Sequence, residues 1–154
     1  MIYRLDLPPL VLPEIVHRSD LIAYQAVKVN FTAYDLKDDV YDILANHIPN
    51  EILTASLLRY QESDHTLNTN PHRDVSNWKI NYMIDPAGGI LNSYDDNGVI
   101  NKTINQLAGE WVLINANEMH CPVDVTGTRK SISLQHRFKF TETEQTWIDS
   151  HIIE

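Results

Sequence analysis

Apolar positions follow two different periods along the chain. Between Asp35 and His47 they recur at helical spacing, with Leu36, Val40, Ile43 and Leu44 forming one stripe. Asp35 stands at the N-cap position, Asp38 and Asp39 suit the positive end of a helix, and Pro49-Asn50 close the segment. Ahead of it, Leu21–Phe31 is rich in apolar and β-branched residues and reads as a strand. Residues 1–18, broken by Pro8, Pro9 and Pro13, read as an irregular arm.

From residue 51 the pattern changes to short strands. They are Ile52–Tyr60, Trp78–Ile84, Ile90–Tyr94, Val99–Ile104, Glu110–Asn115, a stretch around Met119–Val123, and Arg129–Phe140. Turn residues separate them: Pro86-Ala87-Gly88-Gly89, Asn97-Gly98, Gly109 and Thr126-Gly127. Thr141 and Glu144 have the spacing of a capping box ahead of a helix carrying Trp147, Ile148 and Ile152.

Many short strands with glycine-bearing turns predict a mostly β fold of sandwich or barrel type. The expected architecture is a double-stranded β-helix (jelly-roll) spanning about 52–140. A strand and helix at 20–48 precede it and a helix at about 142–153 follows, within one domain covering 1–154. The last strand sharpens this expectation. Arg129, Ser131, Ser133, Gln135 and Arg137 alternate with Ile132, Leu134 and Phe138. The apolar face should pack beneath the helices, and the polar face should line a cavity.

Composition narrows the function. The chain has 154 residues, ordinary for one core, and a net charge of −9, which argues against nucleic acid as a partner. No secretory signal and no run of about 20 apolar residues is present, so no membrane partner is expected. Cys121 is the lone cysteine, which excludes an intrachain disulfide and fits a reducing cytoplasm.

The candidate chemistry centres on Pro71-His72-Arg73-Asp74. In extended backbone, residues i and i+2 share a face, so His72 and Asp74 project together. With His120 as a third ligand they would make a 2-His-1-carboxylate triad, the set that leaves open positions on non-haem Fe(II). The turn at Gly127 brings Arg129 beside the His120 strand. A guanidinium facing a barrel interior keeps its charge, and no acid shares its strand face. A small carboxylate ligand would supply the anion. Pairing with Asp124 is the structural alternative, and Arg137 is a rival eight residues further on. His65 reads as solvent-facing or substrate-side, and Asp95-Asp96-Asn97 as a hairpin tip.

Taken together, His72-Arg73-Asp74, His120 and Arg129-Lys130-Ser131 resemble the His-x-Asp…His…Arg-x-Ser signature of the Fe(II)/2-oxoglutarate-dependent oxygenases. The likeness covers roughly residues 52–140. Asn117–Ser131 is similar to the prolyl-hydroxylase pattern, and the Pro-His-Arg-Asp quartet to the aspartyl/asparaginyl-hydroxylase branch.

The resemblance implies that His72, Asp74 and His120 hold Fe(II). The cosubstrate 2-oxoglutarate would chelate the metal, its far carboxylate pairing with Arg129 and Ser131. Tyr60 and Asn81 are pocket candidates by strand position. The implied activity is that of a dioxygenase: dioxygen and 2-oxoglutarate are consumed, an amino acid or a peptide or protein side chain is hydroxylated, and succinate and CO2 are released. Loops at Glu62–Pro71 and Asp85–Gln106 would recognise the substrate. Two alternatives stand beside it, a non-catalytic jelly-roll interaction module and a cupin-like metalloenzyme that uses no 2-oxoglutarate. Substrate and oligomeric state are left open.

Overall fold

The computed structural model describes residues 1–26, 31–64 and 71–153. In chain order its elements are β1 (Ile2–Leu5), β2 (His17–Ala26), β3 (Phe31–Leu36), α1 (Asp38–Ala45), α2 (Asn50–Thr54), β4 (Ser56–Asp64) and β5 (Trp78–Asp85). They continue with β6 (Ile90–Tyr94), β7 (Ile100–Asn105), β8 (Trp111–Asn115), β9 (His120–Val123), β10 (Thr128–His136) and α3 (Glu142–His151). The fold is mostly β, with two open antiparallel sheets and three helices among the described residues. The larger sheet has the order β1-β8-β5-β10-β4-β3-β2, and the smaller β7-β6-β9.

The central strand is β10. It pairs with β4 through Ser131↔Gln61 and Ser133↔Arg59, and with β5 through Ser131↔Met83 and Ser133↔Asn81. Its two faces meet different layers. Ile132 and Leu134 are fully buried in a cluster with Val40 and Leu44 of α1, Ile52 and Leu53 of α2, and Ile148 of α3. The helices therefore cover the outer face of the large sheet. The opposite face is turned toward the small sheet, where Ile2, Val112 and Ile114 pack on Leu91 and Ile104.

Several boundaries differ from the sequence reading. The first residues are not an irregular arm. Ile2–Leu5 pairs with β8, and Leu5 also bridges Ile152, so both ends of the described chain are fastened to the sheet. Residues 6–16 then cross the helical side, where Trp111 Nε1 donates to the Pro8 carbonyl at 2.9 Å and the Leu10 amide donates to Tyr82 Oη at 3.0 Å. The expected single strand at Leu21–Phe31 belongs to two strands, β2 and β3, and residues 27–30 lie outside the described residues.

The helix expected from Asp35 starts later. Asp35 and Leu36 close β3, and Lys37 occupies the N-cap without a side-chain hydrogen bond. Ile52 and Leu53 are helical rather than the start of a strand, because Pro49 at the N-cap begins a short turn of α2. At the other end β10 stops at His136, leaving Arg137 and Phe138 exposed rather than on its two faces. The capping box ahead of α3 is present in full: the Glu144 amide donates to Thr141 Oγ1 at 3.2 Å, and the Thr141 amide to Glu144 Oε1 at 3.1 Å.

Candidate metal centre

His72 lies outside any named strand, yet its backbone is fixed. Its amide donates to the His120 carbonyl, and the His120 amide donates back to His72, both at 3.0 Å. Two residues on, the Asp74 amide donates to the Ala116 carbonyl at 2.8 Å. The segment 72–74 is thus laid along residues 116–120 by main-chain bonds. Residues opposite in such a pair project to one side of it, and the two imidazole centroids stand 4.6 Å apart.

The result is a three-residue group. One ligand atom from each of His72, Asp74 and His120 lies within 4.8 Å of the other two. His72 Nε2 is 3.6 Å from Asp74 Oδ1, and His120 Nε2 is 3.2 Å from Asp74 Oδ2. Atoms about 2.1 Å from a shared ion lie within about 4.2 Å of each other, a limit that both of these pairs meet. His120 Nδ1 sits 2.9 Å from the Glu118 carbonyl. That oxygen can only accept, so Nδ1 carries a proton and Nε2 is left to face the group, where it donates to Asp74 in the ion-free protein. Exposure is graded across the site, from 45% at the His72 side chain through 23% at Asp74 to 4% at His120. The open side is therefore the His72 side.

Lys79, which sequence reasoning passed over, belongs to this group. Its ammonium lies 2.7 Å from Asp74 Oδ2. Burial alone would raise the Asp74 carboxyl, but the hydrogen bond from His120 and the Lys79 charge outweigh it. They hold the group well below the usual carboxylate range. Asp74 is therefore ionised at neutral pH, as a ligand must be. The available signal was parity: Lys79 and Asn81 are i and i+2 on one strand face.

That same face runs toward Arg129. Along β5, Lys79 touches the ligand group and Asn81 is the next inward residue. Met83 follows, its Sδ 3.6 Å from an Arg129 terminal nitrogen. Lys79 to Met83 is four residues, about 13 Å of strand. Arg129 is buried, and its Nε donates to Gln106 Oε1 at 3.3 Å. It has no carboxylate partner among the described residues, so the anticipated alternative of pairing with Asp124 does not occur. Desolvation pushes its pKa down to about 10, which still leaves it cationic near neutrality.

Between the triad and the arginine the layer is polar. Asn81, Ser131 and Ser133 are all buried, and Asn81 Oδ1 and Ser133 Oγ lack a hydrogen-bond partner among the described residues. Buried polar groups are almost always bonded, and an orphan costs about 1–3 kcal/mol. These atoms lie between the His72–Asp74–His120 group and Arg129 and call for a polar partner: Ser133 Oγ can donate to an anion, whereas Asn81 Oδ1 only accepts. The expected cavity is nonetheless not an open cleft, since these residues are shut between the sheets.

Tyr60 does not belong to this layer. It is in register with Ile132, on the helical side of β10, and its hydroxyl donates to Glu62 at 2.6 Å. Its ring stacks on His17 at 4.5 Å. Alternation on β4 gives Gln61 and Ser63 to the inner face and Tyr60 to the outer one, so Tyr60 lies in the helix-side core and not in the polar layer. Arg137 is likewise no rival to Arg129, being exposed beyond the end of β10. Cys121 is buried on the strand face opposite His120 and supplies no ligand to the group. His65, Asn68 and Asn70 lie outside the described residues, as does most of the loop expected to meet substrate.

No family model matches this sequence, and no curated protein is found to be significantly similar to it. None of the described helices is long and apolar enough to cross a membrane.

Proposed function

We propose that this protein is an Fe(II)- and 2-oxoglutarate-dependent dioxygenase on a double-stranded β-helix scaffold, hydroxylating a free amino acid or a peptide or protein side chain. One observation carries the reading. Two imidazoles and a carboxylate converge on backbone that is already hydrogen-bonded, and the inner face leading away from them ends in a buried guanidinium with no carboxylate partner among the described residues. Two neutral nitrogens and one oxygen suit a divalent ion of borderline character, and three ligands leave the remaining positions free.

In this reading His72, Asp74 and His120 hold the iron. The Glu118 carbonyl fixes the tautomer of His120, and Lys79 holds one Asp74 oxygen while the other faces His72. Arg129, with Ser131, receives the far carboxylate, and Asn81 and Ser133 offer polar atoms between. When bound, iron and 2-oxoglutarate supply the oxidation of a C–H bond, with succinate and CO2 as co-products. Substrate approaches from the exposed His72 side. A lone buried cysteine fits a cytoplasmic setting for such an enzyme.

The test is binding before turnover. The protein loaded anaerobically with Fe(II) should develop a charge-transfer band on adding 2-oxoglutarate, and succinate release should follow when oxygen is admitted. His72→Ala should lose the band, and Arg129→Ala should weaken it strongly. Parent-like binding by both variants would end this reading.

The contact between Lys79 and Asp74 favours a second reading, a non-catalytic β module in which the ammonium stands where a metal would. That module would show no band and no stabilisation by divalent ions.

A further inference from the structure

Gln106 lies one residue beyond β7 and two beyond Ile104, which points inward to Leu91, Val112 and Ile114. Parity turns Gln106 the same way, and it is only 3% exposed. Its Oε1 accepts from Arg129 Nε. A guanidinium only donates, so the amide atom facing it must be the oxygen, and the amide orientation is fixed by chemistry. The nitrogen is thereby turned elsewhere. It is buried and has no hydrogen-bond partner among the described residues.

Arg129 lies beside it with few acceptors of its own. It carries five N–H donors, and its described partners are one amide oxygen and the weakly accepting sulfur of Met83. Gln106 thus holds an orphaned buried donor beside a guanidinium whose described acceptors are few. Packing alone would favour apolar residues at such positions. A carboxylate has about four lone-pair sites and can accept from both at once.

We propose that Gln106 is the second arm of a carboxylate clamp whose first arm is Arg129, and that it makes the site selective for 2-oxo acids bearing a second carboxylate. This rests on the reading of the site as one for 2-oxoglutarate. Through Oε1 the amide holds the guanidinium fork in place, and through Nε2 it donates to the same bound carboxylate. A 2-oxo acid without the distal carboxylate gains nothing from either arm.

The experiment is calorimetric titration of the Fe(II)-loaded protein under anaerobic conditions, with 2-oxoglutarate and 2-oxobutyrate as probes. Gln106→Leu removes the donor at similar volume. It should weaken 2-oxoglutarate by about tenfold or more, the ratio that one charge-assisted hydrogen bond supplies, and leave 2-oxobutyrate unchanged. Gln106→Glu sets a carboxylate against the guanidinium. It should fold, as thermal unfolding will show, yet lose 2-oxoglutarate; it carries the test if the leucine variant does not fold.

Parent-like affinity for 2-oxoglutarate in either folded variant overturns the clamp while the site reading survives. Equal weakening of both acids in Gln106→Leu also overturns it, leaving Gln106 a purely structural role. Failure of the parent itself to bind 2-oxoglutarate overturns the site reading and the clamp together.

Discussion

His72 and His120 are joined by two reciprocal main-chain hydrogen bonds of 3.0 Å, although 47 residues of sequence lie between them. The imidazoles are therefore brought together by backbone, independently of anything they bind. His72→Ala keeps the amide and carbonyl that make those bonds. Its ion-free unfolding free energy should stay within about 0.5 kcal/mol of the parent, as for a half-exposed side chain. Saturating divalent metal separates the two proteins. At a hundred times its dissociation constant an ion should stabilise the parent by about 2.7 kcal/mol, and His72→Ala by almost nothing. Thermal unfolding with and without Mn(II) or Fe(II) measures both terms.

Asp74 gives the site a dependence on acid. Its folded carboxyl is held below the unfolded value by His120 and Lys79, against the desolvation that would raise it. A depressed carboxylate contributes stability that is complete above the unfolded value, about pH 4, and lost as pH falls further. Asp74→Asn cannot ionise. At pH 7, without metal, it should be less stable than the parent by about 2 kcal/mol, the scale of hydrogen bonds to a charged group. The gap should close as pH falls below 4. A gap constant from pH 7 to pH 3 would show that the carboxylate charge contributes nothing.

What was legible in the sequence depended on whether the signal was local. The capping box of Thr141 and Glu144 needs only three residues of separation, and it was visible in full. Thr141→Ala should cost about 1 kcal/mol in urea unfolding. The two faces of β10 were legible as far as Leu134, because alternation is also local. Phe138 was misplaced because nothing in the pattern says where a strand stops pairing. Tyr60 failed for a related reason: its face depends on the register of β4 against β10, which no neighbouring residue reveals. Lys79 and Gln106 were missed because a lysine on a strand and a glutamine at its end look like surface. Only the pairing of sheets shows what they touch.

Two glycines test the turns from opposite directions. A Cβ on Gly89 would fall 2.9 Å from the Pro86 carbonyl oxygen and 3.0 Å from Val125 Cγ2, where the β5–β6 turn presses on residues 124–127. Gly89→Ala meets backbone that cannot step aside, and should destabilise by about 1–3 kcal/mol. Gly98 sits at a hairpin tip with φ +79° and nothing within 4 Å. Gly98→Ala should cost only the left-handed backbone strain, about 1–2 kcal/mol. Combined with a Val125→Ala change that makes room, the Gly89 penalty should fall below additivity, whereas the Gly98 penalty should not move.

Arg129 separates a structural role from a binding one most sharply. A buried arginine satisfied by an internal acid is expensive to remove, about 3–5 kcal/mol, because its partner is stranded. Here no acid among the described residues would be stranded, and only the Gln106 oxygen and Met83 lose a contact. Arg129→Met replaces the guanidinium with an apolar chain beside Met83 and relieves the desolvation that depresses its pKa. The ligand-free variant should therefore be as stable as the parent, or more so by about 1 kcal/mol. It should lose the stabilisation that 2-oxoglutarate gives the metal-loaded parent. Equal or greater stability together with lost binding would mark a cation kept for its ligand; a loss of several kcal/mol without ligand would mark one kept for the fold.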